Sequence, residues 1–311
     1  MTVRDAQRGD APAIAEVTSS AVTYLVRSAA RTTADMKLDG TLGRRRWVGL
    51  VDGEVAGTAH ARQIDDRYGE REVFTSIEVR PDRSSRGVGT ALLAAVADGF
   101  PGTTWLRSVA NDDPISLSFV VRNGFLPEAE HSIAHVEPST VEAAGPEPEG
   151  LRSVTLDALP DLRMLLETHN LAAADDRSGM TRRYTMYQLR SDWWDNPDNA
   201  PDLSFGLLGE GRTGLELAAF TSVQVDRDRG RTWSSMTATH PAYRGRGLAS
   251  WVKRRMLNAV AEAGIVDAWT ADDESNATML AVNRELGYVP AARSIRVGRR
   301  LGTAEQHREP R

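Results

Sequence analysis

The chain has 311 residues, 41% hydrophobic and 26% charged, with a net charge of −5. That length suits two domains better than one core, and the acidic balance, with arginines interleaved among acids, excludes a nucleic-acid face. There is no cysteine, so disulfides, thiolate metal sites and a cysteine nucleophile are excluded as well.

No apolar run is long enough to span a bilayer, and the first residues lack the charged and apolar regions of a signal peptide. The six histidines show no metal-ligand spacing. The expected protein is cytoplasmic, without metal, membrane or nucleic-acid partner.

In chain order, a strand at 2–4 precedes a helix with Asp10 as cap and Pro12 in the first turn. Ile14, Val17, Ala21 and Leu25 carry its helical spacing. Residues 31–43 are polar and leave the element type open. Strands follow at 47–51 and 55–61, joined by an Asp52-Gly53 hairpin turn, then at 73–79. A glycine-rich loop leads to a helix with Val88, Leu92 and Val96 at four-residue steps. A strand at 105–109 and a helix from Asp113-Pro114 follow, the helix stopped by Gly124. Residues 137–150 are rich in proline, glutamate and small residues, and read as a linker with almost nothing to bury.

The order then restarts. A strand at 151–154 leads to a helix carrying Leu162, Leu165 and Leu166, with Asp157 as its expected cap. Strands at 205–208 and 215–225 flank an expected turn at 209–211. A strand at 233–239 runs into a second glycine-rich loop and a helix with Leu248, Val252, Met256 and Val260 on one face. A strand at 267–270, a helix capped by Asn276 and ended by Gly287, and a strand at 294–297 complete the copy. The tail from 302 is expected to be disordered. Hence the expected domains are 1–136, a linker at 137–150, and 151–301.

The repeat is metric as well as qualitative. Gly87 to Gly247 is 160 residues (247 − 87), and Gly124 to Gly287 is 163 (287 − 124). Each copy has strand, proline, Arg-x-Gly loop, helix, strand, helix and Gly-aromatic in that order, as a duplicated domain would. The loops read Ser84-Ser85-Arg86-Gly87-Val88-Gly89 and Arg244-Gly245-Arg246-Gly247-Leu248-Ala249. Glycines let another molecule approach the backbone, and a helix N-terminus offers unpaired N–H groups to an anion. No Gly-Lys-Ser/Thr and no dinucleotide fingerprint accompanies either loop.

Each half resembles the GCN5-related N-acetyltransferase (GNAT) family, whose loop reads Arg/Gln-x-x-Gly-x-Gly/Ala after a Val-x-Pro-like step. The second half, preceded by Thr239-His240-Pro241, matches it fully; in the first, after Val79-Arg80-Pro81, Ser84 stands where the family prefers Arg or Gln. The resemblance implies an α/β fold of two tandem domains, each a mostly antiparallel sheet flanked by helices. It implies acetyl-CoA as co-substrate, without metal. The residues implied to hold it are Val79, Arg86, Gly87, Val88, Gly89 and Thr90 in one half. In the other they are Thr239, Arg244, Gly245, Arg246, Gly247, Leu248, Ala249, Asn276 and Asn283. The implied activity is acetyl transfer to the amine of a small molecule, by a monomer or homodimer, with the C-terminal half favoured as catalytic because its loop is complete. The alternatives are a non-catalytic acyl-CoA-binding or sensing protein, and a mycothiol-synthase-like or antibiotic-modifying acetyltransferase.

Such chemistry needs a base for the amine proton and N–H groups for the oxyanion. Candidate bases are Glu78, opposite two apolar neighbours in its strand, Glu216 in a similar place, and His240 beside the loop. The family's usual tyrosine acid is replaced by Val120 and Asn283. Tyr184, Tyr187, Trp193 and Trp194 are expected in the core or as a substrate wall.

Overall fold

The computed structural model describes residues 1–41, 43–64, 71–175, 183–211, 214–273 and 276–301. Twenty elements carry the fold. They are β1 (Thr2–Asp5), α1 (Ala11–Ala21), α2 (Ala29–Met36), β2 (Arg44–Val51), β3 (Glu54–Ile64), β4 (Glu72–Val79), α3 (Val88–Gly99), β5 (Trp105–Asn111), α4 (Pro114–Arg122) and β6 (Leu126–Val136). There follow β7 (Leu151–Thr155), α5 (Leu162–Ala174), α6 (Met186–Gln188), β8 (Phe205–Gly211), β9 (Gly214–Asp226), β10 (Arg231–Thr239), α7 (Leu248–Glu262), β11 (Asp267–Asp273), α8 (Ala277–Glu285) and β12 (Val289–Arg300).

Two compact units form, and neither is contiguous in sequence. Unit 1 comprises residues 1–23, 27–131 and 292 onward; unit 2 comprises 24–26 and 132–291. In unit 1 the strands run in the order β1-β2-β3-β4-β5-β12. All pairs are antiparallel except β4 with β5. The closing strand comes from the end of the chain: Ser294 to Arg300 pair with Asn111 to Trp105. In unit 2 the order is β11-β10-β9-β8-β7, with β6 beside β11, and again only β10 with β11 is described as parallel.

In unit 1, α3 packs on one sheet face through Val88, Leu92 and Val96 against Trp47, Ala59, Val73 and Leu106. Glycine at 57 permits this approach, since a Cβ there would sit 2.8 Å from Val88 Cγ1 and 3.0 Å from the Glu78 carbonyl oxygen. Gly57→Ala should therefore cost about 1–3 kcal/mol through overpacking, read as a lowered urea midpoint with an unchanged slope. The opposite face is covered by α1, through Ala11 and Ile14 on Val48. In unit 2, α7 covers one face with Val252, Met256 and Val260, and α5 with Trp193 covers the other.

Several local expectations give way to tertiary contacts. The first helix stops at Ala21, short of Leu25, because 24–26 group with unit 2. Residues left open become α2, capped by Ser28. Asp161, not Asp157, caps α5, its Oδ1 accepting from the Arg163 N–H at 2.8 Å. The expected turn at 209–211 is part of β8. Residues 141–149 form a strap on α7, since Trp251 Nε1 donates to the Gly145 and Pro146 carbonyls and Asn258 Nδ2 to those of Val141 and Glu142. The linker thus satisfies backbone polar groups, and it also buries Pro138 and packs Val141 against the core to which α7 contributes, more apolar burial than its composition led one to expect. The tail from 302 lies outside the described residues.

Candidate active site

Two clefts arise from strand geometry. β4 and β5 pair only at Glu72–Phe74 with Trp105–Arg107, although β4 runs on to Val79. Likewise β10 and β11 pair only at Arg231–Trp233 with Asp267–Trp269, and β10 runs on to Thr239. Beyond these three-residue contacts the parallel strands separate. The Arg80 N–H donates to the Ala56 carbonyl, so strand alternation turns the Val79 N–H the other way, towards the cleft. In unit 2 His240 donates to Ala218, and the Thr239 N–H turns the same way.

At the end of each cleft lies a glycine-rich loop. After β4 come a short 3-10 turn, Ser85 at φ +60°, and Gly87 at φ +81° as the N-cap of α3. After β10 the same geometry recurs with Gly245 at +75° and Gly247 at +71° before α7. Left-handed residues alternating with Arg86 or Arg246 gather successive N–H groups into an anion-binding concavity, reinforced by the helix dipole. A Cβ added at Gly87, Gly245 or Gly247 meets nothing within 4 Å, so both cradles are open. These cradles fit a pyrophosphate. Val88 and Leu248 are buried anchors of their helices, Gly89 admits the Phe119 ring, and Thr90 is exposed.

The cations differ between the loops. Arg86 is exposed and makes no hydrogen bond or ion pair with the described residues. Arg244 pairs with Asp175 at 2.7 Å, and Arg246 donates to the Glu149 carbonyl at 2.8 Å. Asn276 caps α8 through the Met279 N–H, and Asn283 is buried against the Lys253 ammonium. Lys253, only 1% exposed, gave no signal in sequence beyond its place in an amphipathic helix.

The larger contrast lies on the sheet face opposite α3 and α7. In unit 1, register puts Arg46, His60 and Ser76 in one row across β2, β3 and β4, and Val48, Thr58 and Glu78 in the next. Glu78, His60 and Ser76 are half-buried. Burial raises the Glu78 carboxyl above the ordinary glutamate range, although Arg27, Arg46 and a hydrogen bond from Ser76 pull the other way. Burial lowers His60 to about 3, helped by Arg46 and Arg27, so the ring is neutral near pH 7. His60, Ser76 and Arg46 escaped sequence reasoning. The available signal was alternation: Thr58 and His60 are the polar positions of a Gly-Thr-Ala-His-Ala run.

In unit 2 the position that matches Glu78 has apolar surroundings. Val79-Arg80-Pro81 corresponds to Thr239-His240-Pro241, which places Ala238 at the position of Glu78, paired with Phe220 as Glu78 is with Thr58. Phe220, Trp193 and Leu165 fill that space. Trp193 is therefore a core residue; Tyr184 stacks on His169, and Tyr187 is exposed. The other candidate bases are placed elsewhere. Glu216 stands 3.4 Å from the Tyr243 hydroxyl, which it helps to raise above the usual phenol range after burial. His240 caps the 3-10 turn, its Nδ1 accepting from the Ala242 N–H at 3.2 Å. Val120, at the usual acid position, lies in the core of unit 1.

Among the described residues, no group of three or more His, Asp or Glu could hold a metal ion, and no helix is long and apolar enough to cross a membrane. The sequence model of the Acetyltransferase (GNAT) family matches residues 17–125 and again 167–288. A mycothiol acetyltransferase of Nocardia farcinica is 25% identical over 315 residues, covering 94% of this chain and 95% of its own. The tandem GNAT protein from the clavulanic acid biosynthesis pathway superposes with a TM-score of 0.72 at 19% identity, covering 98% of this chain and 99% of that one. A GCN5-related N-acetyltransferase from Sphaerobacter thermophilus gives 0.65 at 20% identity, over 97% and 96%.

Proposed function

Because the chain belongs to the GNAT acetyltransferase family in two tandem copies, we propose that unit 1 performs the transfer, from acetyl-CoA to the amine of a small molecule. The observation that carries this is Glu78, a half-buried carboxyl with a raised pKa beside the cleft that leads to an open anion cradle. Loop completeness favours the C-terminal half, but a complete loop speaks for cofactor binding, not for proton transfer. Unit 2 keeps its cradle and has Ala238 in place of a carboxylate, which suits a holder of acyl-CoA.

The residues act as follows. The Ser85–Gly89 amides and Arg86 hold the pyrophosphate. The Val79 N–H, pointing into the cleft, steadies the oxyanion. Acetyl-CoA supplies the activated acyl group: the amine nitrogen bonds the carbonyl carbon as the C–S bond breaks and the thiolate leaves. The ionised Glu78 takes the proton of the attacking amine, directly or through one water. With Val120 apolar, the thiolate takes its proton from solvent.

Calorimetric titration of CoA into the full chain tests the assignment. Gly87→Val forces a β-branched side chain into a left-handed conformation, and Gly247→Val does the same in unit 2. Each should abolish one binding event. Thiol release from acetyl-CoA with a primary-amine panel should fall at least tenfold in Gly87→Val and stay within threefold in Gly247→Val, taking about 1.4 kcal/mol as the tenfold scale. The reverse pattern would move the chemistry to unit 2.

A further inference from the structure

Arg27 and Arg46 are more elaborately held than surface arginines need to be. Arg27 Nη1 pairs with Asp35 Oδ2 at 2.5 Å, and Arg31 Nε holds the other oxygen of the same carboxylate at 2.9 Å. Arg46 Nε pairs with Asp39 Oδ2 at 3.2 Å, with its side chain only 7% exposed. Both acids belong to α2 or the turn after it, so they aim the two guanidiniums from one side. Each arginine commits one nitrogen to its acid, and its remaining N–H groups have no partner among the described residues. Three guanidiniums, of Arg27, Arg31 and Arg46, share the carboxylates of Asp35 and Asp39, and Arg27 and Arg46 also act on the carboxyl of Glu78.

The position of this cluster matters. Arg46 is in register with His60, and His60 with Ser76, one step along β4 from Glu78. Arg27 and Arg46 are both close enough to act on Glu78 and on His60. A neutral imidazole, a hydroxyl and two pre-aimed planar forks thus adjoin the proton acceptor. Guanidinium forks match carboxylates bidentately, and a fork already fixed by another group loses little freedom on binding. On the reading that Glu78 receives the amine proton in unit 1, we propose that the acceptor is an amine carrying a carboxylate a few bonds away, an amino acid or a close relative, whose carboxylate is held by Arg27 and Arg46.

The test uses the full chain saturated with CoA. The twenty common amino acids, their amides and the matching decarboxylated amines are titrated by calorimetry, with phosphoethanolamine and ethanolamine as a further pair. Thiol release from acetyl-CoA is followed on the same panel. At least one amino acid should bind, and turn over with a KM lower, by roughly tenfold to a hundredfold, than its amide, the scale of a charged hydrogen bond. Arg27→Gln should erase the difference between acid and amide, and Arg27→Lys should restore part of it. Arg27 carries the test because its side chain is 32% exposed and tolerates replacement better than that of Arg46. An undiminished preference in Arg27→Gln, a preference for amides or decarboxylated amines, or no carboxylate-dependent binding at all overturns the proposal; a phosphoethanolamine preference replaces carboxylate by phosphate. Glu78→Gln separates this from the assignment of the base. If release survives that change, Glu78 is not the proton acceptor, and the Arg27 result still decides the acceptor class.

Discussion

Glu78→Gln lowers the kcat of acetyl transfer by about 100-fold to 10,000-fold, the usual worth of a positioned general base, and leaves CoA affinity unchanged. The substitution keeps shape and the bond from Ser76, and removes only the capacity to take a proton. Wild-type kcat should rise with pH through the raised pKa of Glu78, so its acidic limb lies above the range of an ordinary glutamate. In Glu78→Gln that limb disappears. Ala238→Glu in unit 2 should not restore activity, because Phe220 and Trp193 fill the space beside it. Thiol release at several pH values and CoA calorimetry together read the result. A kcat within threefold of wild type, with the limb retained, would remove Glu78 from the chemistry.

His60 should make unit 1 sensitive to acid. In the folded chain its pKa is about 3, against 6.5 in the unfolded chain. Below pH 6.5 the unfolded state therefore binds a proton that the folded state refuses, and stability falls as pH drops from 6.5 towards 3. At about 1.4 kcal/mol per pH unit the ceiling between pH 7 and pH 4 is about 3 kcal/mol, and about 1–2 kcal/mol remains once the water-exposed part of the ring is discounted. Glu78 and Asp39 work in the opposite sense. Their raised pKa values mean that the folded state holds protons more tightly, so acid favours folding through them. His60→Gln should lose less stability than the wild type between pH 7 and pH 4, measured by urea unfolding at both. Equal losses in the two proteins would show that the ring is solvated.

What could be read from the sequence was what repeats or is local. The hairpin at Asp52-Gly53 appears with φ of +54° and +83°, and the glycines that stop α4 and α8 are left-handed as expected. The cradles were legible because each is a few consecutive residues fixed by glycine. The face around Glu78 was not legible in the same way. It depends on the joint register of β2, β3 and β4, and on acids in and just after α2, a helix whose polar sequence announced no element. Position 238 shows the same limit: its alanine means nothing until β10 is aligned on β4. The contiguous domains expected from a linker at 137–150 rest on composition, which carries no information about the partner that β5 finds.

That partner sets the order of events during synthesis. Strand β5 ends at Asn111, and the residue paired with it is Ser294, 183 positions later (294 − 111). A ribosome that has finished everything unit 1 contributes from its first 131 residues has still not made the strand that closes its sheet. Until then β5 presents an open edge, with unpaired N–H and C=O groups ready to join another chain. Cutting the gene at the linker would make that exposure permanent, so the N-terminal half expressed alone should aggregate rather than work as a small enzyme. The codons for Ser294 to Arg300 therefore decide whether the first half of the protein becomes usable.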